Sequence, residues 1–189
     1  KNGRNGYSWL ESGMEVELRS RNSLEGDIRA AIPNDEFVPY FEQQIDLNTG
    51  ELVGFEMLAR WVSPVRGLIS PDDFIPVAEE TGMIGDLSLS IIRKAMIEAK
   101  NWDPKLTISV NISPVQLKDP WLAQKIVKLL VETGFPASRL EVEITESSLF
   151  KNLSLAQSIV GSLKNQGIRI ALDDFGTGYS SLAHLRALP

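Results

Sequence analysis

IRIALDDFGTGYSSL, residues 168–182, begins as a strand and ends as a helix. Ile168, Ile170, Ala171 and Leu172 form a short apolar run of the kind a parallel sheet buries, and the run stops at two adjacent carboxylates, Asp173 and Asp174. Gly176 and Gly178 permit backbone angles closed to other residues, and Tyr179-Ser180-Ser181-Leu182 offers a hydroxyl cap for a following helix. An acidic pair at the carboxyl end of a buried strand, followed by a flexible loop, is where an α/β protein would hold a cation. The same residues also suit a solvated loop that merely caps the next helix. The choice between these readings depends on what the neighbouring strands carry.

Outward from this stretch the pattern repeats. Residues 140–147 (LEVEITES) and 106–113 (LTISVNIS) alternate as strands, with helical segments at 154–167 and 120–134. Residues 86–102 form a longer amphipathic helix with Leu87, Ile91, Ile92, Ala95, Met96 and Ala99 on its apolar stripe. Ser70-Pro71 opens another helix as serine cap and first-turn proline, and Gly82 closes it. Before these, residues 37–47 and 52–61 read as two strands joined by the turn Asn48-Thr49-Gly50, a hairpin. Strand–helix alternation of this length predicts βαβ units, a parallel sheet and right-handed crossovers. Residues 1–7 are polar and turn-rich. From 14 to 36, Leu18, Leu24, Ile28 and Ile32 recur at helical spacing until Pro33, which predicts either a connecting helix or a cover for the bottom of the following domain.

Side chains alternate along a strand, so parity sorts each strand into two faces. One parity carries Gly54, Glu56, Leu58 and Arg60; the next strands carry Thr107, Ser109, Asn111 and Ser113, then Glu141, Glu143, Thr145 and Ser147, then Arg169, Ala171 and Asp173. The apolar parities pack on helices, so the polar ones face a barrel interior or a sheet mouth. Glu56, Asn111, Glu143 and Asp173 then converge. Unit charges about 4 Å apart repel by about 4 kcal/mol at an effective dielectric near 20, and a divalent cation relieves that without protonation. Asp174 and Glu146, on the opposite parity, are candidates for a second ion or for fastening the glycine loop. The competing arrangement pairs each acid separately with Arg60, Arg169 or a lysine.

Composition narrows the chemistry. The net charge is -6 and the pI about 4.9, which argues against a nucleic-acid polymer as partner. With no cysteine and a single histidine, His184, a metal site must be built from oxygen donors, which favours magnesium, manganese or calcium over zinc. No run of eighteen apolar residues and no signal-peptide pattern occurs, so a cytoplasmic setting is expected, with any membrane anchor of the parent protein outside this segment.

These residues resemble the EAL family of cyclic di-GMP phosphodiesterases. The signature tripeptide is Glu56-Met57-Leu58 within GFEMLARW, supported in order by DDFIPVAEETG (72–82), VNISPVQL (110–117), EITES (143–147) and DDFGTGYSSL (173–182). The resemblance covers residues 37–189 and implies a TIM-barrel-like α/β fold whose first strand is antiparallel. It implies that Glu56, Asn111, Glu143 and Asp173 hold a first metal, that Asp174 holds a second, and that Glu146 tethers the glycine loop. It gives Arg60 a substrate phosphate, and Leu58 and position 42 a place along the substrate. The implied reaction is hydrolysis of cyclic di-GMP to linear pGpG with two Mg²⁺ or Mn²⁺ ions; the implied alternative is a catalytically silent receptor for the same ligand.

The chain departs from the family in two ways. Glu42 stands where the family usually has a ligand-contacting glutamine. From Phe37 to Pro189 the chain is also shorter than the roughly 250 residues typical of a TIM barrel. The family's lysine-containing K-x-D strand, its later glutamate and its final glutamine therefore have no counterpart within it. A truncated barrel would expose open strand edges, which admits a third reading as an assembly domain. The opening KNGRNGY resembles the tail of a GGDEF domain, so a GGDEF neighbour is expected before residue 14, and a homodimer is expected as the assembly.

Overall fold

A computed structural model describes residues 5–173 of the chain. Helix α1 runs Asn5–Ala31, strand β1 Phe37–Ile45, β2 Leu52–Ser63 and β3 Gly67–Ile69. Helices α2 (Pro71–Glu80) and α3 (Ile84–Ala99) precede β4 (Thr107–Ile112), which is followed by α4 (Leu122–Thr133) and β5 (Leu140–Thr145). Helices α5 (Glu146–Lys151) and α6 (Leu153–Asn165) lead to β6 (Arg169–Asp173). Asp174 and the glycine loop after it lie outside the described residues.

The sheet order is β1-β2-β4-β5-β6, with β3 paired to the end of β2. β1 and β2 are antiparallel, whereas β2–β4, β4–β5 and β5–β6 are parallel. This is an α/β, TIM-barrel-like sheet entered through an antiparallel first strand, as the sequence predicted. Asp46 makes the hairpin: its Oδ1 accepts from the N–H groups of Asn48 (2.8 Å) and Thr49 (3.0 Å), and Gly50 takes φ +70° to bring the chain back.

Ile108, Val110 and Ile112 of β4 and Leu140, Val142 and Ile144 of β5 are buried against helices α3, α4 and α6, whose stripes supply Leu87, Ile91, Ile126, Ile159 and Leu163 to the same core. An aromatic trio fastens the hairpin to α2, with Phe37 5.1 Å from Trp61 and 5.2 Å from Phe74 between ring centres, and the indole N–H of Trp61 donates to Glu36. α2 starts as expected, with the Ser70 hydroxyl accepting from the N–H of Asp72 and Pro71 in the first turn.

Three local features depart from expectation. α1 begins at Asn5, inside the stretch read as turns, because glycines such as Gly6 and Gly13 cost only about 1 kcal/mol each in a long helix. β3 is too short to leave a periodic signature. α5 is a separate helix formed by residues that continue the alternation of β5 on paper. No helix among the described residues is long and apolar enough to cross a membrane.

Candidate functional site

The polar parities of β2, β4, β5 and β6 meet at the carboxyl ends of the parallel strands. Register sets their heights. Glu56 pairs with Ser109, Asn111 with Glu143, and Thr145 with Asp173, so the donors climb from strand to strand. Asn111 joins the first two: its Nδ2 donates to Glu56 Oε1 at 2.8 Å, which fixes the amide so that Oδ1 is the atom left to bind a cation. Half-buried Glu143 stands beside this pair, and its carboxyl is pushed above the ordinary glutamate range. Burial is the main cause, followed by the charge of Glu56; the Ser109 hydroxyl partly offsets them, and the charges of Glu141 and Asp173 add to the rise.

The competing arrangement, each acid neutralised by its own cation, does not hold for three of the acids. Glu56, Glu141 and Glu143 form no ion pair, although six ion pairs occur elsewhere among the described residues. Arg60 instead donates Nη1 to the Ala59 carbonyl at 2.8 Å and lies 5.4 Å over the Tyr40 ring.

β2 pairs with β4 only between Gly54 and Met57, so Leu58 and Arg60 continue past the last parallel pair as a ledge above the acids. Glu42 lies directly opposite Glu56 across the antiparallel pair, and Tyr40 opposite Leu58. Glu146 is buried at the first position of α5. Asp174, assigned in sequence to a second ion, lies outside the described residues.

Below the acids is a layer that sequence reading missed. Ser109 is completely buried and its hydroxyl lies 3.1 Å from Glu141 Oε1 and 3.2 Å from Gln44 Nε2. Parity placed Glu141 with Glu143; only the register shows that it sits lower, opposite Ser109. Glu79 was missed as well, because its carboxylate comes from α2 and reaches Ser113 from 34 residues away.

The donors are carboxylates and an amide, without cysteine or histidine, a hard set that fits magnesium or manganese. Among the described residues, no three His, Cys, Asp or Glu side chains are already gathered closely enough to cage an ion. The crowded like charges around Glu143 are the feature that a cation would relieve.

The EAL domain family profile matches residues 25–189. The chain belongs to the EAL domain family. The EAL chain is 40% identical over 169 residues to cyclic di-GMP phosphodiesterase PdeR of Escherichia coli, an alignment covering 88% of this chain and 25% of PdeR. It is 33% identical over 191 residues to MucR of Pseudomonas aeruginosa, a bifunctional diguanylate cyclase/cyclic di-GMP phosphodiesterase, covering 99% of this chain and 28% of MucR. The PaMucR phosphodiesterase solved in complex with c-di-GMP superposes with a TM-score of 0.83 at 32% identity, covering 88% of this EAL chain and 69% of that one. The chain spans about a quarter of the length of the curated relatives it matches.

Proposed function

We propose that this EAL domain contributes the metal-binding face of a phosphodiesterase that opens one phosphodiester of cyclic di-GMP to give linear pGpG, with two Mg²⁺ or Mn²⁺ ions. The observation that carries the proposal is the crowding of Glu56, Glu141 and Glu143, which form no ion pair among the described residues and of which Glu143 is pushed up by burial and by its acidic neighbours. Glu56, Asn111, Glu143 and Asp173 would hold the first ion and Asp174 the second. Bound divalent ions supply Lewis acidity and acidify water from a pKa of about 15.7 towards 7.

The chain's own residues do the rest. Asn111 keeps Glu56 oriented, Arg60 meets a phosphate from the ledge of β2, and Leu58 and Glu42 lie along the substrate. Glu146 anchors the loop that carries Asp174. A GGDEF neighbour belongs to the same proposal, supported by the bifunctional naming of MucR, and so do a homodimer and a cytoplasmic setting.

The test is conversion of cyclic di-GMP by this chain with Mn²⁺ present, followed by chromatography, and its abolition by a chelator. Turnover that persists after exhaustive metal removal would end the two-ion reading. The alternative is a receptor that binds cyclic di-GMP without cleaving it. Tight binding with no turnover in saturating Mn²⁺ would select it.

A further inference from the structure

Just past β4, two positions beyond Asn111, Ser113 spends every polar atom it has. Its hydroxyl donates to Glu79 Oε1 at 2.5 Å and accepts from the N–H of Val115 at 3.1 Å. Its N–H donates to Gln116 Oε1 at 3.1 Å, and its carbonyl accepts from the N–H groups of Gln116 (3.0 Å) and Leu117 (3.3 Å). Gln116 is buried, and its Nε2 finds no acceptor. An orphaned buried donor costs about 1 to 3 kcal/mol, and the bond from the Ser113 N–H to Gln116 Oε1 offsets part of that cost.

Glu79, half-buried in the last turn of α2, forms no ion pair among the described residues; its bond from Ser113 is charge-assisted and falls at the short end of the O–H···O⁻ range. The bond ties the upper end of β4 to a helix that is itself fixed by Phe74 in the aromatic trio. What it fixes is the height of Asn111, which must keep Nδ2 on Glu56 while Oδ1 remains free to bind.

We propose that Glu79, acting through Ser113, is a positioning residue for Asn111 that sets how tightly the acidic site holds its divalent ion. The inference rests on the phosphodiesterase reading given above. Glu79 touches neither ion nor substrate in this scheme. Its removal lowers ion affinity, and excess ion compensates for the loss.

The experiment is a Mn²⁺ titration of the whole chain followed by electron paramagnetic resonance of free Mn²⁺, with cyclic di-GMP turnover measured at limiting and at saturating Mn²⁺. Glu79→Ala and Ser113→Ala each weaken Mn²⁺ binding about tenfold. The double variant is no worse than the weaker single one, because both act through one bond. Glu79→Gln, whose amide oxygen still accepts from Ser113, stays within about threefold of the parent, and saturating Mn²⁺ restores turnover to Glu79→Ala.

Ser70→Ala removes the cap at the other end of α2. It lowers the melting temperature and leaves Mn²⁺ affinity unchanged, which separates positioning from the stability of the helix. Parental affinity in Ser113→Ala overturns the proposal even if Glu79→Ala does not fold, and so does a loss in Ser70→Ala equal to that in Glu79→Ala. A parent chain that binds no Mn²⁺ overturns the phosphodiesterase reading and this inference with it, whereas a parent that binds and turns over beside unaffected variants overturns the positioning role alone.

Discussion

Arg139 lies just below β5 and Glu143 near its top, and the protein treats the two charges in opposite ways. Arg139 is only 6% exposed and forms no ion pair among the described residues. Its Nε donates to the Leu106 carbonyl and its Nη2 to the Ala99 carbonyl, both at 2.8 Å, and its guanidinium lies 4.9 Å over the Phe135 ring. Ala99 is the last residue of α3, where the helix dipole is negative, so the floor neutralises its charge with backbone carbonyls and a ring face. At the mouth, burial and like charges raise the protonation tendency of Glu143, and among the described residues no lysine or arginine pairs with it. The floor is electrostatically complete within the fold; under the proposed function the mouth is completed by a ligand. The two ends should therefore respond differently to substitution.

The largest effect belongs to the mouth. Glu56→Ala should reduce cyclic di-GMP turnover in Mn²⁺ by about a thousandfold or more, since a lost metal ligand forfeits several kcal/mol of transition-state stabilisation. Its melting temperature should not fall, because removing one of several repelling carboxylates relieves the cluster. Hydrolysis at the parental rate would remove Glu56 from the site.

The floor should show the reverse. Arg139→Met keeps much of the volume but strands two buried carbonyls, each losing a charge-assisted bond, for a cost of about 3 kcal/mol. That should appear as a drop of about 6 to 12 °C in melting temperature, with Mn²⁺ affinity of the folded protein unchanged. A change in affinity without a change in stability would erase the distinction between the two ends. Gly54→Ala probes the floor by packing rather than charge. A Cβ there would meet Thr107 Oγ1 at 2.4 Å and the Thr107 carbonyl oxygen at 2.5 Å, on the residue that pairs with Gly54 across β2 and β4. Overpacking of this kind costs about 2 kcal/mol, and a parental urea midpoint would show that the strands can separate freely.

The mouth was more legible in the sequence than the floor, for a physical reason. The side-chain period of a strand is two, so parity alone put Glu56, Asn111, Glu143 and Asp173 on one face before any pairing was known. Parity carries no height, however, and Glu141 could be separated from Glu143 only once the register placed it opposite Ser109. Arg139 gave no signal because its partners are backbone carbonyls, which have no letter in the sequence. Glu79 gave none because its bond to Ser113 depends on where α2 packs. β3 and α5 were missed because three and six residues are too few to show a period.

The smallest effect sharpens the comparison most. Because the folded-state pKa of Glu143 is raised, the native state binds its proton more tightly than the unfolded chain does. Its contribution to metal-free stability is intact below the ordinary glutamate pKa and is lost as pH rises from there through the raised value. Glu143→Gln should thus be more stable than the parent at pH 7 without metal, and the advantage should vanish at pH 4. The gain should be well under about 1 kcal/mol, because the half-buried carboxylate is screened by solvent. Added Mn²⁺ should reverse the order at pH 7, stabilising the parent by mass action while leaving Glu143→Gln nearly unmoved. The readout is the difference between the two melting curves at each pH, with and without Mn²⁺. A difference that ignores both pH and metal would mean that the charge of Glu143 is already neutralised inside the fold, as that of Arg139 is.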